Sequence, residues 1–140
     1  MRVAAIALAT AALGGCFPEG NYECDVDPDC SGGEVCARTH ECVLASEVRA
    51  VTIRWTVDGQ TDTRAACVAV GMSDLEITFQ SGSETVRYAP VPCDGGLYFM
   101  DKLPLRFNLV SLTGSASTGT YYGETPVGTD PEYTIALAPF

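Results

Sequence analysis

Seven cysteines are the residues of this 140-residue chain best placed to do chemistry. A thiol can take up a covalent group, pair as a disulfide or ligate a metal. Cys16 stands apart from the other six. Met1 and Arg2 precede an eleven-residue apolar run over residues 3–13, broken only by Thr10, and two glycines separate that run from Cys16. A membrane-spanning helix needs about 20 apolar residues, so the run is too short to cross a bilayer. Its length and flanks fit a secretory signal over residues 1–15. Export leads to an oxidising compartment, where cysteines pair, and an odd number leaves one over. With Cys16 set aside for a covalent group, Cys24, Cys30, Cys36, Cys42, Cys67 and Cys93 can all pair.

The stretch Leu13-Gly14-Gly15-Cys16 resembles the lipobox of bacterial lipoproteins: an aliphatic residue, two small residues, then the cysteine that becomes residue 1. In that family the thiol takes a diacylglycerol and the new amino group a third, palmitate-type chain. The resemblance implies acylation at Cys16 and a membrane partner reached through lipid. Each buried CH₂ contributes about 0.8 kcal/mol, so two or three chains hold where one does not. Phe17 stands where inner-membrane retention often shows Asp, which implies a cell-envelope location at the outer membrane. Residues 16–23 read as a lipidated tether carrying Pro18 and Gly20. The seven residues after Cys16 reach at most about 25 Å.

Charge narrows the partners. Eighteen acidic residues face eight basic ones, and loss of residues 1–15 removes Arg2, leaving a formal charge of −11. A chain this acidic repels phosphate backbones, so nucleic acid is not an expected partner.

Cys24, Cys30, Cys36 and Cys42 follow the tether with five residues between neighbours. Residues 24–45 hold too few apolar side chains to build a core, and a piece this small needs disulfides or a metal. The five-residue spacing is not the short pair of structural zinc sites, and His40 is the single histidine. Disulfides are therefore expected, although four cysteines allow three connectivities. Asp27-Pro28-Asp29 and Ser31-Gly32-Gly33 supply turns between them. The alternation Asp25-x-Asp27-x-Asp29 begins like a calcium loop, but Cys30 and Cys36 stand where that loop needs Gly and Glu. It reads as a solvated acidic turn. The run from Cys24 to Val43 resembles small cysteine-rich repeats of bacterial surface lipoproteins, and loosely the N-terminal domain of Dickkopf-type proteins. That resemblance implies the crossed pairs Cys24–Cys36 and Cys30–Cys42.

From residue 46 to 140 the pattern is β. Val51, Ile53, Trp55 and Val57 alternate with Thr52, Arg54 and Thr56; Leu75, Ile77 and Phe79 alternate with Glu76 and Thr78. Ser81-Gly82-Ser83 turns the chain into a hairpin partner with Val86 and Tyr88. Residues 97–100, 105–112, 120–122 and 133–137 supply further strands, and no segment has a helical period. The expectation is an antiparallel β-sandwich, stapled by Cys67 to Cys93. The dozen residues from Tyr98 to Leu109 resemble a transthyretin-like or carboxypeptidase-regulatory-like domain through Phe99, Leu103, Pro104, Phe107 and Leu109. This implies an Ig-like sandwich acting as an accessory module, with those five side chains in its core.

Nothing here assembles a catalytic group. His40 is the only imidazole, and neither a nucleophile elbow, a P-loop nor a zinc-protease motif is present. No cofactor is expected. Two stretches suit recognition: the loop Thr113-Gly114-Ser115-Ala116-Ser117-Thr118-Gly119, followed by Tyr121 and Tyr122, one of which must face outward, and the acidic module itself. The expected function is a membrane-anchored, non-enzymatic interaction or structural module with an envelope or extracellular protein or glycan as partner. The alternatives are a carbohydrate or peptide receptor on the sandwich face, with Tyr121 and Tyr122 as contacts, and a protease inhibitor built on the cysteine module.

Overall fold

The alternation read from residue 48 onward organises the molecule. The computed structural model describes residues 22–140; Cys16, the signal reading and most of the tether lie outside the described residues. Strand β3 (Val48–Val57) buries Val51, Ile53, Trp55 and Val57 and turns the intervening residues outward, as its period-two pattern requires. Ahead of it lie two short strands, β1 (Glu34–Cys36) and β2 (Cys42–Leu44), paired antiparallel with Cys36 opposite Cys42. After it come β4 (Asp74–Ser81), β5 (Glu84–Pro92), β6 (Leu97–Pro104), β7 (Leu109–Ala116), β8 (Gly119–Pro126) and β9 (Glu132–Pro139). The fold is mainly β.

The strand order is β5-β4-β7-β8-β9-β3-β6. Two well-paired groups meet where β8 and β9 touch through only two residue pairs, Tyr121 with Pro139 and Tyr122 with Ala138. Gly123 follows that contact, and a Cβ there would lie 2.4 Å from the Ala136 carbonyl oxygen, so only glycine lets the strands cross this closely. Phe79, Ile77 and Leu112 of one group share a single buried cluster with Ile53, Ile135 and Leu137 of the other. Burying a large apolar side chain contributes about 1.5–3 kcal/mol, and this shared cluster holds the groups together.

The expectation of an all-antiparallel sheet fails at β3 and β9, which run parallel with Ile53 beside Tyr133. A period-two pattern is the same for both senses of pairing, so sequence could not distinguish them. The expectation of no helix fails too. Helix α1 (Thr63–Val70) begins at Asp62, whose side chain accepts from the Ala65 amide at 3.1 Å. It ends at Gly71 in the left-handed conformation, φ 70°. Eight residues are too few to show a helical period, but both caps were present in the sequence. The helix buries Cys67, which is bonded to Cys93 in the turn before β6.

Two boundaries also move. Residues 105–108 form a turn in place of a strand start, with Phe107 N–H donating to the Pro104 carbonyl at 3.1 Å. The polar stretch 113–119 is largely strand, the end of β7 and start of β8, with a tight turn at residues 117 and 118. Leu103, Pro104 and Phe107 are buried as the transthyretin-like resemblance implies. Phe99 is not: it is 59% exposed, and Leu109 is only half-buried. In β6 the inward residue is Met100, so Phe99 takes the outer face.

Candidate functional site

The four-cysteine module is fixed by its bridges. Cys24–Cys36 and Cys30–Cys42 are closed, in the crossed arrangement, with Cα separations of 5.8 and 5.6 Å. Asp29 ties the first turn, its Oδ2 accepting from the amides of Asp25 at 2.9 Å and Val26 at 3.0 Å. Asp27 accepts from the Cys36 amide at 3.0 Å. The acidic run is thus used as internal acceptors, and the sulfurs of Cys24, Cys30 and Cys42, though within 4.8 Å of one another, are held in disulfides and offer no thiolate.

This module is bolted to the two outermost strands of the sheet, β5 and β6. Arg38 N–H donates to the Lys102 carbonyl at 3.1 Å, and its guanidinium donates to Asp101 at 2.6 Å. Lys102 reaches back to Asp27. Tyr88 of β5 donates its hydroxyl to the Arg38 carbonyl at 3.0 Å. On the far side Arg106 holds Glu84 of β5 with two bonds of 2.7 Å and Glu41 of the module with a third. One arginine therefore clamps three segments. Partly exposed ion pairs each contribute little, about 1 kcal/mol or less, but a network shares its ordering cost.

Between module and strands lies a cleft of about 720 Å³. Its floor is the aromatic pair Tyr88 and Tyr98, ring centroids 5.7 Å apart, which bridges β5 to β6. Phe99 stands exposed at the rim, and Arg38, Lys102 and Asp27 form the charged wall. His40 sits at the lip with φ 62°, its Nδ1 3.1 Å from the Cys24 carbonyl and its ring 4.4 Å from that of Tyr22. The carboxyls at the wall are held below the ordinary carboxylate value: the guanidinium of Arg38 lowers Asp101, and Lys102 followed by the Cys36 amide lowers Asp27. Burial, with Tyr98 alongside, pushes the Tyr88 phenol up to about 12 against the opposing pull of Arg38. The floor is thus neutral, a hydrogen-bonding and stacking surface. Among the described residues no nucleophile–base pair lines it.

The residues singled out for recognition lie elsewhere. Tyr121 and Tyr122 do point to opposite faces, but Tyr121 is buried with its hydroxyl donating to Asp58 at 3.0 Å, which removes it as a ligand contact. Tyr122 is half-exposed, bonded to Glu124 and packed 5.8 Å from the Phe140 ring, and it does not line the cleft. Sequence reasoning missed Tyr88, Tyr98 and Phe99 because their convergence depends on where the module docks. The available signal was Leu97-Tyr98-Phe99-Met100, four large apolar residues in one strand, at least one of which must face water. Comparison with protein-family models, curated proteins and solved structures finds no match to this chain.

Proposed function

We propose that this chain is a lipid-anchored, non-enzymatic interaction module of the bacterial cell envelope, working through the cleft between its cysteine module and the outer strands. The observation that carries this reading is the cleft itself: a concave surface with an aromatic floor, an exposed Phe99 and charged walls. About 300–1,000 Å³ is the usual size of a ligand cleft. The anchor reading rests on Leu13-Gly14-Gly15-Cys16, and outer-membrane placement on Phe17. The β domain is read as an Ig-like, transthyretin-like sandwich, supported by the burial of Leu103, Pro104 and Phe107 and by one core shared between two strand groups.

Photo-crosslinking in intact cells tests the reading, with the probe at Phe99. Lys102 is the only lysine and is paired with Asp27, so amine crosslinkers have little to react with. The expected result is a discrete crosslinked species, and release of Cys16→Ser into the soluble fraction. A blank lane from correctly anchored protein overturns the interaction reading; Cys16→Ser retained in the membrane pellet overturns the anchor.

A further inference from the structure

The outer edge of β6 is open, and its backbone phase can be worked out. In an antiparallel pair, opposed residues alternate between those bonded across the pair and those whose N–H and C=O point away. Trp55 N–H donates to the Gly96 carbonyl at 3.3 Å, and Trp55 stands opposite Gly96 in the register that sets Arg54 against Leu97. The Gly96 carbonyl, and with it Tyr98 and Met100, therefore bond toward β3, while Leu97 and Phe99 turn their N–H and C=O outward. The other side of β3 agrees. Thr52, opposite Phe99, sends its N–H away from β6 to the Pro131 carbonyl at 2.8 Å. Among the described residues β6 ends the strand order and forms a ladder with β3 alone. Beyond Met100 the register with β3 shifts by one residue, and past that irregularity the same edge already accepts a foreign backbone: the Lys102 carbonyl takes the Arg38 amide.

Unpaired strand edges are templates for another strand, and proteins usually blunt them with lysine or proline. Here the open stretch carries Leu97 and Phe99, respectively 45% and 59% exposed, on one face. The cleft beside it presents Tyr88 and Tyr98 on the other. An added strand would lay alternate side chains on each. Resting on the interaction reading above, we infer that the ligand is an extended, basic polypeptide segment of another protein, which adds as a strand to β6 at Leu97 and Phe99.

Charge selects the occupant. Residues 22–140 carry seventeen acidic against seven basic residues. The two cations of the cleft wall are already taken, Arg38 by Asp101 and Lys102 by Asp27. Asp25 stands at the lip 86% exposed, and Asp94 is exposed just ahead of β6. A second copy of this chain would bring the same excess negative charge to the edge, whereas a lysine- or arginine-bearing strand is attracted. Main-chain bonds supply affinity in this mode, and the alternate side chains supply choice.

The probe is a ten-residue peptide alternating lysine with valine and threonine, titrated into the purified full-length protein by calorimetry. The expected result is saturable binding that weakens with salt. N-methylation of the peptide's alternate amides should cost at least tenfold, and Lys→Glu replacement in the peptide should abolish binding. Phe99→Lys, at an exposed position, should cost about tenfold, with Tyr122→Ala unchanged. Equal binding of the N-methylated peptide, preference for the acidic peptide, or self-association of the protein in place of binding overturns the inference. A crosslinked partner at Phe99 in cells, with no binding of the basic peptide, leaves the interaction reading standing and removes strand addition alone.

Discussion

The cysteine module and the β domain keep their shape by different means. Within the module, Cys24, Cys36 and Ala37 are the buried hydrophobic residues, and two of the three are bridge halves. The β domain buries Phe79, Phe107, Ile53, Ile77, Leu112, Ile135 and more in one cluster, and adds Cys67–Cys93. Cross-linking removes freedom from the unfolded chain, while burial stabilises the folded one. A piece too small for a core can thus be as well defined as its large neighbour, but its definition depends on redox conditions. The cleft inherits both dependences, one wall from each.

The largest effect that separates the regions is Phe79→Ala. Phe79 is fully buried, and losing such a ring costs about 3–5 kcal/mol. Denaturant unfolding should show that loss in the β domain, with the module's bridges intact in the refolded protein. A cost below about 1 kcal/mol would mean that the shared core does not carry the domain.

Next comes removal of one module bridge, Cys24→Ser together with Cys36→Ser. The loop-entropy relation gives about 3 kcal/mol for a loop of this length. Amide exchange should speed up through residues 24–42, while β3 and β4 stay protected. Loss of protection in β3 would show that the β domain leans on the module, and the comparison would fail.

The smallest effect is pH. The carboxyls of Asp27 and Asp101 are lowered in the docked state, so both bind protons more weakly docked than free. Their contribution is present above the ordinary carboxylate value near 3.8 and is lost as pH falls through the lowered ones. The protection of the Arg38 amide, bonded to Lys102, relative to its intrinsic exchange rate should fall below about pH 4, ahead of any change in Ile53. Simultaneous loss at both sites would indicate global unfolding in place of undocking.

Much of the β domain was legible because half-buried strands write their burial into alternate residues. Val51, Ile53, Trp55 and Val57 are the clearest instance, and the Ser81-Gly82-Ser83 hairpin follows from turn chemistry. Strand sense was not legible, since β9 would show the same alternation in either direction. Helix α1 hid because Ala65, Ala66, Cys67, Val68, Ala69 and Val70 offer no polar face to phase, and only Asp62 and Gly71 mark it. The cleft was beyond reach. Arg38 meets Asp101 and Tyr88 across long stretches of chain, and no local pattern encodes such a docking.

The parallel pair has a consequence for how the chain becomes folded. Strand β3 is made before either of its neighbours, and Ile53 must wait first for Tyr98 and then for Tyr133. Contacts this distant in sequence slow folding, because loop-closure entropy is lost before the pairing compensates. Through that interval the row Val51, Ile53, Trp55 and Val57 lacks its cover and is open to wrong partners. The nascent chain is thus at its most aggregation-prone before β9 arrives, and the rate at which β9 finds β3 limits how long that exposure lasts.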